Sequence, residues 1–357
     1  MKYLNTLITG MGSYIPSEVV KNETFVKQDF YSEKQERLDG PGEEIISKFN
    51  EITGIRERRY LKKDQLVSDM AAEAAKKAIE DANIDPETID QIICAHNFGD
   101  IHHGSTQTDI LPSLASRVKY ILNIKNPSCT AYDILFGCPG WVQGMIQADA
   151  FGKAGLGKRF LVIGAEALSR VTDPYDRDSM IYSDGAGAAI VETVEEDEKR
   201  GMLSSSMQTD TADEAYFLFM GKSNKPGYKP DTKYIKMFGR KIYEYAISNV
   251  PAAMKLALDR ADLGISDVKK VLIHQANEKM DEAIVKRFYR LYKEKMPEKI
   301  MPMSIGLLGN SSVATVPTLY DKILRNDCPE HEINKDDILI FASVGAGMNI
   351  NSFVYKK

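Results

Sequence analysis

The segment AYDILFGCPGWVQGMIQADAF holds one cysteine, Cys138, where an apolar strand gives way through Phe136-Gly137 to an amphipathic helix starting at or just after it. Pro139 suits a first helical turn, because its missing N–H would be unpaired there in any case. A thiol in that position feels the positive end of the helix dipole and nearby free N–H groups, so the spacing predicts a lowered pKa and a nucleophile. The competing reading is a buried filler. It suits Cys94 in the apolar run IICA and Cys129 in a predicted strand, while Cys328 in the turn-like RNDCPEH reads as incidental. His274 ends the strand KKVLI and opens the turn HQAN ahead of a helix beginning near Glu278. A ring at a strand's C-terminal end projects into the crevice where such sheets bind ligands, and it can donate or accept a proton near neutrality. A core or capping role is the commoner fate of a lone histidine. Asn310 stands in IGLLGNSSVATVP, a glycine-bracketed turn, where its amide either caps the following helix or reaches a substrate. Ser343-Val344-Gly345-Ala346-Gly347 follows a strand and can aim backbone N–H groups at an oxyanion. The five histidines form no HExxH pair and the four cysteines no CxxC pair, so neither a metal site nor a disulfide framework is expected.

Strand ends and helix starts must position these side chains. Residues 76–97, KKAIEDANIDPETIDQIICAHN, read as a helix ending near Asn83, a turn and a buried strand. Residues 255–276, KLALDRADLGISDVKKVLIHQA, repeat that plan half a chain later, with Ala78 falling on Ala257 and Ile92 on Val271. Further strands are predicted at TLITGMGSY, NPSCTAYDIL, RFLVIGAEAL, AGAAIVETV and DDILIFASV. Their alternation with helical periods argues for sheets covered by helices. Residues 205–233 and 97–109 read as surface excursions. With 43% hydrophobic residues in 357, the chain can bury a sizeable core, which excludes intrinsic disorder. Its net charge of −5 excludes the global positive field that nucleic-acid binding needs. No signal-peptide core and no run of ~20 apolar residues is visible, so a soluble, cytoplasmic protein without a membrane partner is expected.

Together these motifs resemble the thiolase-like condensing enzymes, and most closely β-ketoacyl-acyl-carrier-protein synthase III. The resemblance runs nearly end to end: ITGMGSYIP, TGIRERRY, the Cys138 segment, DPYDRD with YSDGAGAAIVE, HQAN, GNSSVAT and SVGAG stand in the family's order. It implies an α/β fold, a five-layered αβαβα sandwich built from two similar halves, normally a homodimer. Residues 1–195 would carry the cysteine, and residues 196–357 the histidine and asparagine. It implies that Cys138 takes an acyl group from an acyl-CoA or a carrier-borne donor. His274 and Asn310 would donate hydrogen bonds to the thioester carbonyl of malonyl-acyl carrier protein. The backbone N–H groups of Cys138 and Ala346 would hold the tetrahedral oxyanion. Two neutral donors can stabilise the enolate of decarboxylation, so no metal or cofactor is called for. An acyltransferase or head-to-head condensing enzyme on the same fold, or a non-catalytic partner subunit, are the alternatives. Three intact catalytic positions disfavour the last.

The sequence also departs from the family pattern. Lys48 replaces a tryptophan that grips the adenine of coenzyme A, and Ile52 replaces an arginine, whereas Arg177 on the opposite face is present. Leu111 stands where a bulky aromatic crosses the dimer interface to floor the partner's acyl pocket, and the loop before it is longer than usual. Together with Val344 on the substrate wall, this implies a pocket suited to an acyl chain longer or bulkier than acetyl. Lys279, Lys286, Arg290 and Lys293 are predicted to share one helix face opposite Met280, Ile284, Phe288 and Leu291, forming a docking surface for an acidic carrier protein.

Overall fold

A computed structural model describes residues 2–357. Five strands make a first mixed sheet: β1 (Tyr3–Tyr14), β2 (Gln91–His96), β3 (Thr130–Leu135), β4 (Arg159–Ala167) and β5 (Asp184–Glu196), in the order β1-β5-β4-β2-β3. The later strands are β6 (Gly201–Thr209), β7 (Leu218–Gly221), β8 (Tyr234–Met237), β9 (Val268–Ile273), β10 (Ile338–Gly345) and β11 (Asn349–Lys356). β7 pairs only with β8, and the others form a second sheet of order β9-β10-β11-β6. Read from the opposite edge, that sheet repeats the first in order and in strand direction, except that it has no counterpart of β3. At that edge the segment around Ile300 makes a single ladder-like bond, Val271 N–H to Ile300 O at 2.9 Å.

The main helices are α1 (Val67–Ala82), α2 (Leu114–Ile121), α3 (Gly140–Lys153), α4 (Gly239–Arg260), α5 (Glu278–Arg290) and α6 (Thr315–Leu324). Successive strand residues face opposite sides, so a strand covered on both sides reads as continuously apolar. In β4, Phe160 and Val162 face a cluster with Trp141 and Met145 of α3 and Leu319 of α6, while Leu161 and Ile163 face Met70 of α1 and Val118 of α2. In β10, Leu339 and Phe341 join the same central cluster, while Ile340 and Ala342 face Leu258 of α4 and Phe288 of α5. The layers therefore run helix, sheet, helix, sheet, helix, as the resemblance implied.

The internal echo has a backbone counterpart. Asn83 ends α1 at φ 50° and Asp262 follows α4 at φ 57°, both in the left-handed region, and each leads through a short 3-10 turn into a buried parallel strand. Three local expectations change. Residues 205–209 belong to β6, and the excursion beyond them is interrupted by β7, which pairs with β8 just after its end. Cys129 lies just before β3 and is buried. β5 continues through Glu196, so the passage between the two sheets is the turn at 197–200. Among the described residues no helix is long and apolar enough to cross a membrane.

Candidate active site

Cys138 occupies the turn between β3 and α3. Gly137 before it has φ 68°, a conformation that glycine adopts without steric cost, and a Cβ there would lie 3.0 Å from Ala346 N. A Cβ on Gly345 would lie 2.6 Å from Cys138 N. The absence of side chains at these two positions lets the SVGAG turn close on the cysteine turn. The main chains of Cys138 and Ala346 then lie side by side. α3 begins two residues beyond the cysteine, with Pro139 as its cap, slightly later than predicted.

The HQAN motif divides into distinct tasks. His274 extends the ladder of β9, its N–H donating to Ala342 O at 2.9 Å. Gln275, fully buried, donates to Pro302 O at 2.8 Å and accepts from Ser304 N–H at 2.9 Å, which pins the turn to the loop beside it. Asn277 caps α5, its Oδ1 accepting from Met280 N–H at 3.1 Å. Asn277→Ala should cost about 1 kcal/mol of stability. An unchanged urea midpoint in that variant would show that the cap contributes nothing.

Asn310 is held in place through its own main chain and amide. Its N–H donates to Ile181 O at 2.9 Å and its Oδ1 accepts from Ser312 N–H at 2.9 Å. That second bond stabilises its own turn rather than α6, and it leaves Nδ2 as the uncommitted end of the amide. Ser312 Oγ in turn donates to Cys138 Sγ at 3.4 Å.

Cys138, His274, Asn310, Val344 and Ala346 line one cavity of about 280 Å³. Much of the remaining wall is apolar, with Leu218, Met220, Ile235 and Met237 supplied by the β7–β8 pair. Arg177 lies outside it. It lines an adjoining groove with Lys48, Ile52 and Arg240, and the two spaces share Ile181, Met237, Ile242, Ala276 and Met280. The groove thus adjoins the cavity and is lined by Lys48, Arg240 and an Arg177–Asp178 pair at 2.8 Å. Leu111 lines neither space and is 87% exposed on the loop before α2. Lys279 is exposed on α5, 3.9 Å from Glu51, and Lys286 pairs with Glu282 at 2.9 Å. The basic face is shorter than predicted, because α5 ends at Arg290: Lys293 turns away at φ 60° and Leu291 is 48% exposed.

The electrostatics correct one expectation. Burial pushes the Cys138 thiol up to about 11; the Ser312 hydroxyl opposes this and the charge of Glu166 adds to it. The thiol thus stands above its ordinary value, where the sequence predicted a lowering. Burial pushes His274 down to about 4, against a contact with the Ser312 main chain, and its Nδ1 has no partner among the described residues. The two groups therefore rest as neutral thiol and neutral imidazole at pH 7. Asn97, Tyr182, Ser312 and the β7–β8 wall were not singled out from sequence. Of these, Ser312 and Tyr182 carried a local signal, Ser312 two residues after Asn310 in the same motif and Tyr182 at the head of YSDGAGAAIVE.

Residues 132–211 match the family model described as 3-oxoacyl-[acyl-carrier-protein (ACP)] synthase III, and residues 258–357 match its C-terminal counterpart. A β-ketoacyl-[acyl-carrier-protein] synthase III from Erythrobacter litoralis is 32% identical over 346 residues, covering 96% of this chain and 97% of that protein. The chain belongs to the β-ketoacyl-acyl-carrier-protein synthase III family. A second synthase III, from Staphylococcus haemolyticus, is 32% identical over 99% of both chains. The solved 3-oxoacyl-[acyl-carrier-protein] synthase III of Aquifex aeolicus superposes with a TM-score of 0.80 at 27% identity, covering 99% of this chain and 100% of that one. Xanthomonas campestris OleA, at 18% identity and a TM-score of 0.77, shares the synthase III fold, and the likeness extends no further than that.

Proposed function

We propose that Cys138, His274 and Asn310 carry out the decarboxylating Claisen condensation of an acyl thioester with malonyl-acyl carrier protein, giving 3-oxoacyl-acyl carrier protein. The reaction class, that of a synthase III-type acyltransferase, follows from family membership. The assignment of roles rests on one observation: these three side chains, far apart in sequence, line a single apolar cavity. Cys138 sulfur attacks the donor carbonyl and expels the donor thiol, which takes up the cysteine proton. The backbone N–H groups of Cys138 and Ala346 receive the tetrahedral oxyanion. Malonyl carrier then enters, and its thioester carbonyl accepts hydrogen bonds from the neutral His274 ring and from Asn310 Nδ2. Loss of carbon dioxide leaves an enolate held by these donors. Its carbon attacks the acyl-cysteine carbonyl, and the cysteine leaves as thiolate and is reprotonated.

The apolar wall from β7 and β8, with Val344, supports an acyl chain longer or bulkier than acetyl. Lys48, Arg177 and Arg240 lining the groove suit the phosphate of a pantetheine arm, whether borne by coenzyme A or by a carrier. Lys279 and Arg290 suit docking of an acidic carrier protein. Lys279→Glu with Arg290→Glu should raise KM for malonyl carrier about tenfold while leaving Cys138 acylation by a coenzyme A donor intact. Equal loss of both activities would refute the docking role.

The same reading takes the working unit as a homodimer and the chain as two halves that meet at the turn 197–200. β3 is an unpaired sheet edge, and exposed apolar side chains cluster around it: Ile110, Leu111, Tyr120, Ile121 and Leu135. The test of the function is product analysis. Incubation with a series of acyl donors and malonyl carrier should yield one carbon dioxide per 3-oxoacyl carrier, with acetyl the poorest donor. Acyl transfer to carrier or to a second acyl chain without malonyl consumption would favour the acyltransferase or head-to-head alternative.

A further inference from the structure

Glu166 is a buried carboxyl group that the reaction above does not use. It lies near the end of β4 with no exposed surface, and its Oε2 accepts both from Asn97 N–H at 2.7 Å and from Asn97 Nδ2 at 2.5 Å. Its Oε1 has no partner among the described residues. Asn97 Nδ2 also lies 3.3 Å from Ser312 Oγ, and Ser312 Oγ lies 3.4 Å from Cys138 Sγ. These four residues form a line that ends on the sulfur.

The direction of each bond follows from donor and acceptor chemistry. A main-chain N–H only donates, so Glu166 Oε2 is an acceptor. A carboxylate oxygen in that position requires Asn97 to present Nδ2, because Oδ1 would set lone pair against lone pair. The second amide hydrogen then occupies a lone pair of Ser312 Oγ, which leaves the hydroxyl proton for Cys138. The main chain of Ser312 is held in place. Its φ of 53° is uncommon for a residue with a side chain, and its N–H is bound to Asn310 Oδ1 at 2.9 Å. Backbone in sparsely populated regions clusters where surrounding structure enforces it for function.

We propose that Glu166 and Asn97 are positioning residues that hold the Ser312 hydroxyl as a hydrogen-bond donor to the Cys138 sulfur, stabilising the thiolate when it attacks the acyl donor and when it leaves in the condensation. This rests on Cys138 being the nucleophile. A donor is needed there, because burial works against the thiolate and the Glu166 charge opposes it further. The titratable groups around the line are His274 after β9, Tyr182 ahead of β5, and His96 of β2 and Asp184 of β5 beside Glu166.

A double-mutant cycle on the full-length protein tests the line, read by the pH profile of Cys138 alkylation with iodoacetamide. Ser312→Ala should slow alkylation at a given pH about tenfold. Asn97→Ala, which keeps the main-chain N–H on Glu166, should slow it about threefold. Added to S312A it should have no further effect, since Asn97 acts through the hydroxyl. Burial raises the Glu166 carboxyl to about 7, so above that pH, where it is ionised, Glu166→Gln removes a repulsive charge in every background and its coupling to Asn97 is the informative quantity. E166Q should be about threefold less favourable to alkylation with Asn97 present than beside N97A. A parent-like rate in S312A, an N97A effect that persists beside S312A, or an E166Q effect independent of Asn97 each overturns the proposal. Acyl loading is followed by intact mass in the same samples. If no donor loads the parent protein, it is the nucleophile assignment that fails, whatever the cycle returns.

Discussion

Cys138→Ala should abolish acyl uptake. Incubated with a thioester donor, the parent chain should gain the mass of one acyl group, and C138A should gain none. Steady-state formation of 3-oxoacyl carrier should fall about 10³-fold or more, because Cys138 is the one thiol that lines the cavity among the described residues. The other cysteines are no substitute, since Cys94, Cys129 and Cys328 are all buried. The pH dependence carries a second, independent expectation. With the thiol pushed up to about 11 and His274 pushed down to about 4, no thiolate–imidazolium pair exists at neutral pH. Thiolate is the deprotonated form, so below the thiol pKa its fraction rises about tenfold per pH unit. Alkylation by iodoacetamide should therefore climb steadily from neutral into alkaline pH. A plateau reached below neutrality would mean a preformed thiolate, and the helix dipole would then outweigh burial after all.

That reversal of direction illustrates what the sequence does and does not carry. The turn at Cys138 was legible because it is local: a strand, a positive-φ glycine, a proline and a helix follow one another within a few residues. Helix-covered sheets were legible because apolar runs alternate with helical periods, whereas the five layers came from the family resemblance; the structure adds that β4 and β10 are apolar on both faces because each sheet is covered on both sides. The thiol pKa was not, because it depends on how completely distant segments exclude water from one sulfur atom. Glu166 and Asn97 meet across 69 residues, and neither stands in a distinctive motif. β7 and β8 escaped notice because each is a four-residue strand beside the Gly, Lys and Pro of GKSNKPGYKP, which read as loop. The end of α5 was overrun by one apolar and one basic residue, since Leu291 and Lys293 keep the helical spacing although the chain has already turned. Side-chain periodicity records which residues would share a face and is silent on where the backbone leaves the helix.

His274→Ala and Asn310→Ala should separate the two half-reactions. Decarboxylation places negative charge on the thioester oxygen, and a preorganised donor at such an oxyanion contributes about 10²–10³ in rate. Each substitution should reduce carbon dioxide release from malonyl carrier by about that factor. The double variant should lose less than the product of the two, because the donors serve one oxygen. Acylation of Cys138 should survive in both. An imidazole that titrates at about 4 is too weak a base to take a proton from a thiol at about 11, so removing it costs the first half-reaction little. The same value fixes the sign of the pH effect. The ring is neutral above about 4 and gains a proton only as pH falls through that point, so its donor role should be constant across the neutral range. Intact mass reads acylation and trapped carbon dioxide reads decarboxylation, so the two losses are measured on one sample. If H274A loses acylation as severely as decarboxylation, the ring is the base for Cys138. The enolate would then depend on Asn310 alone.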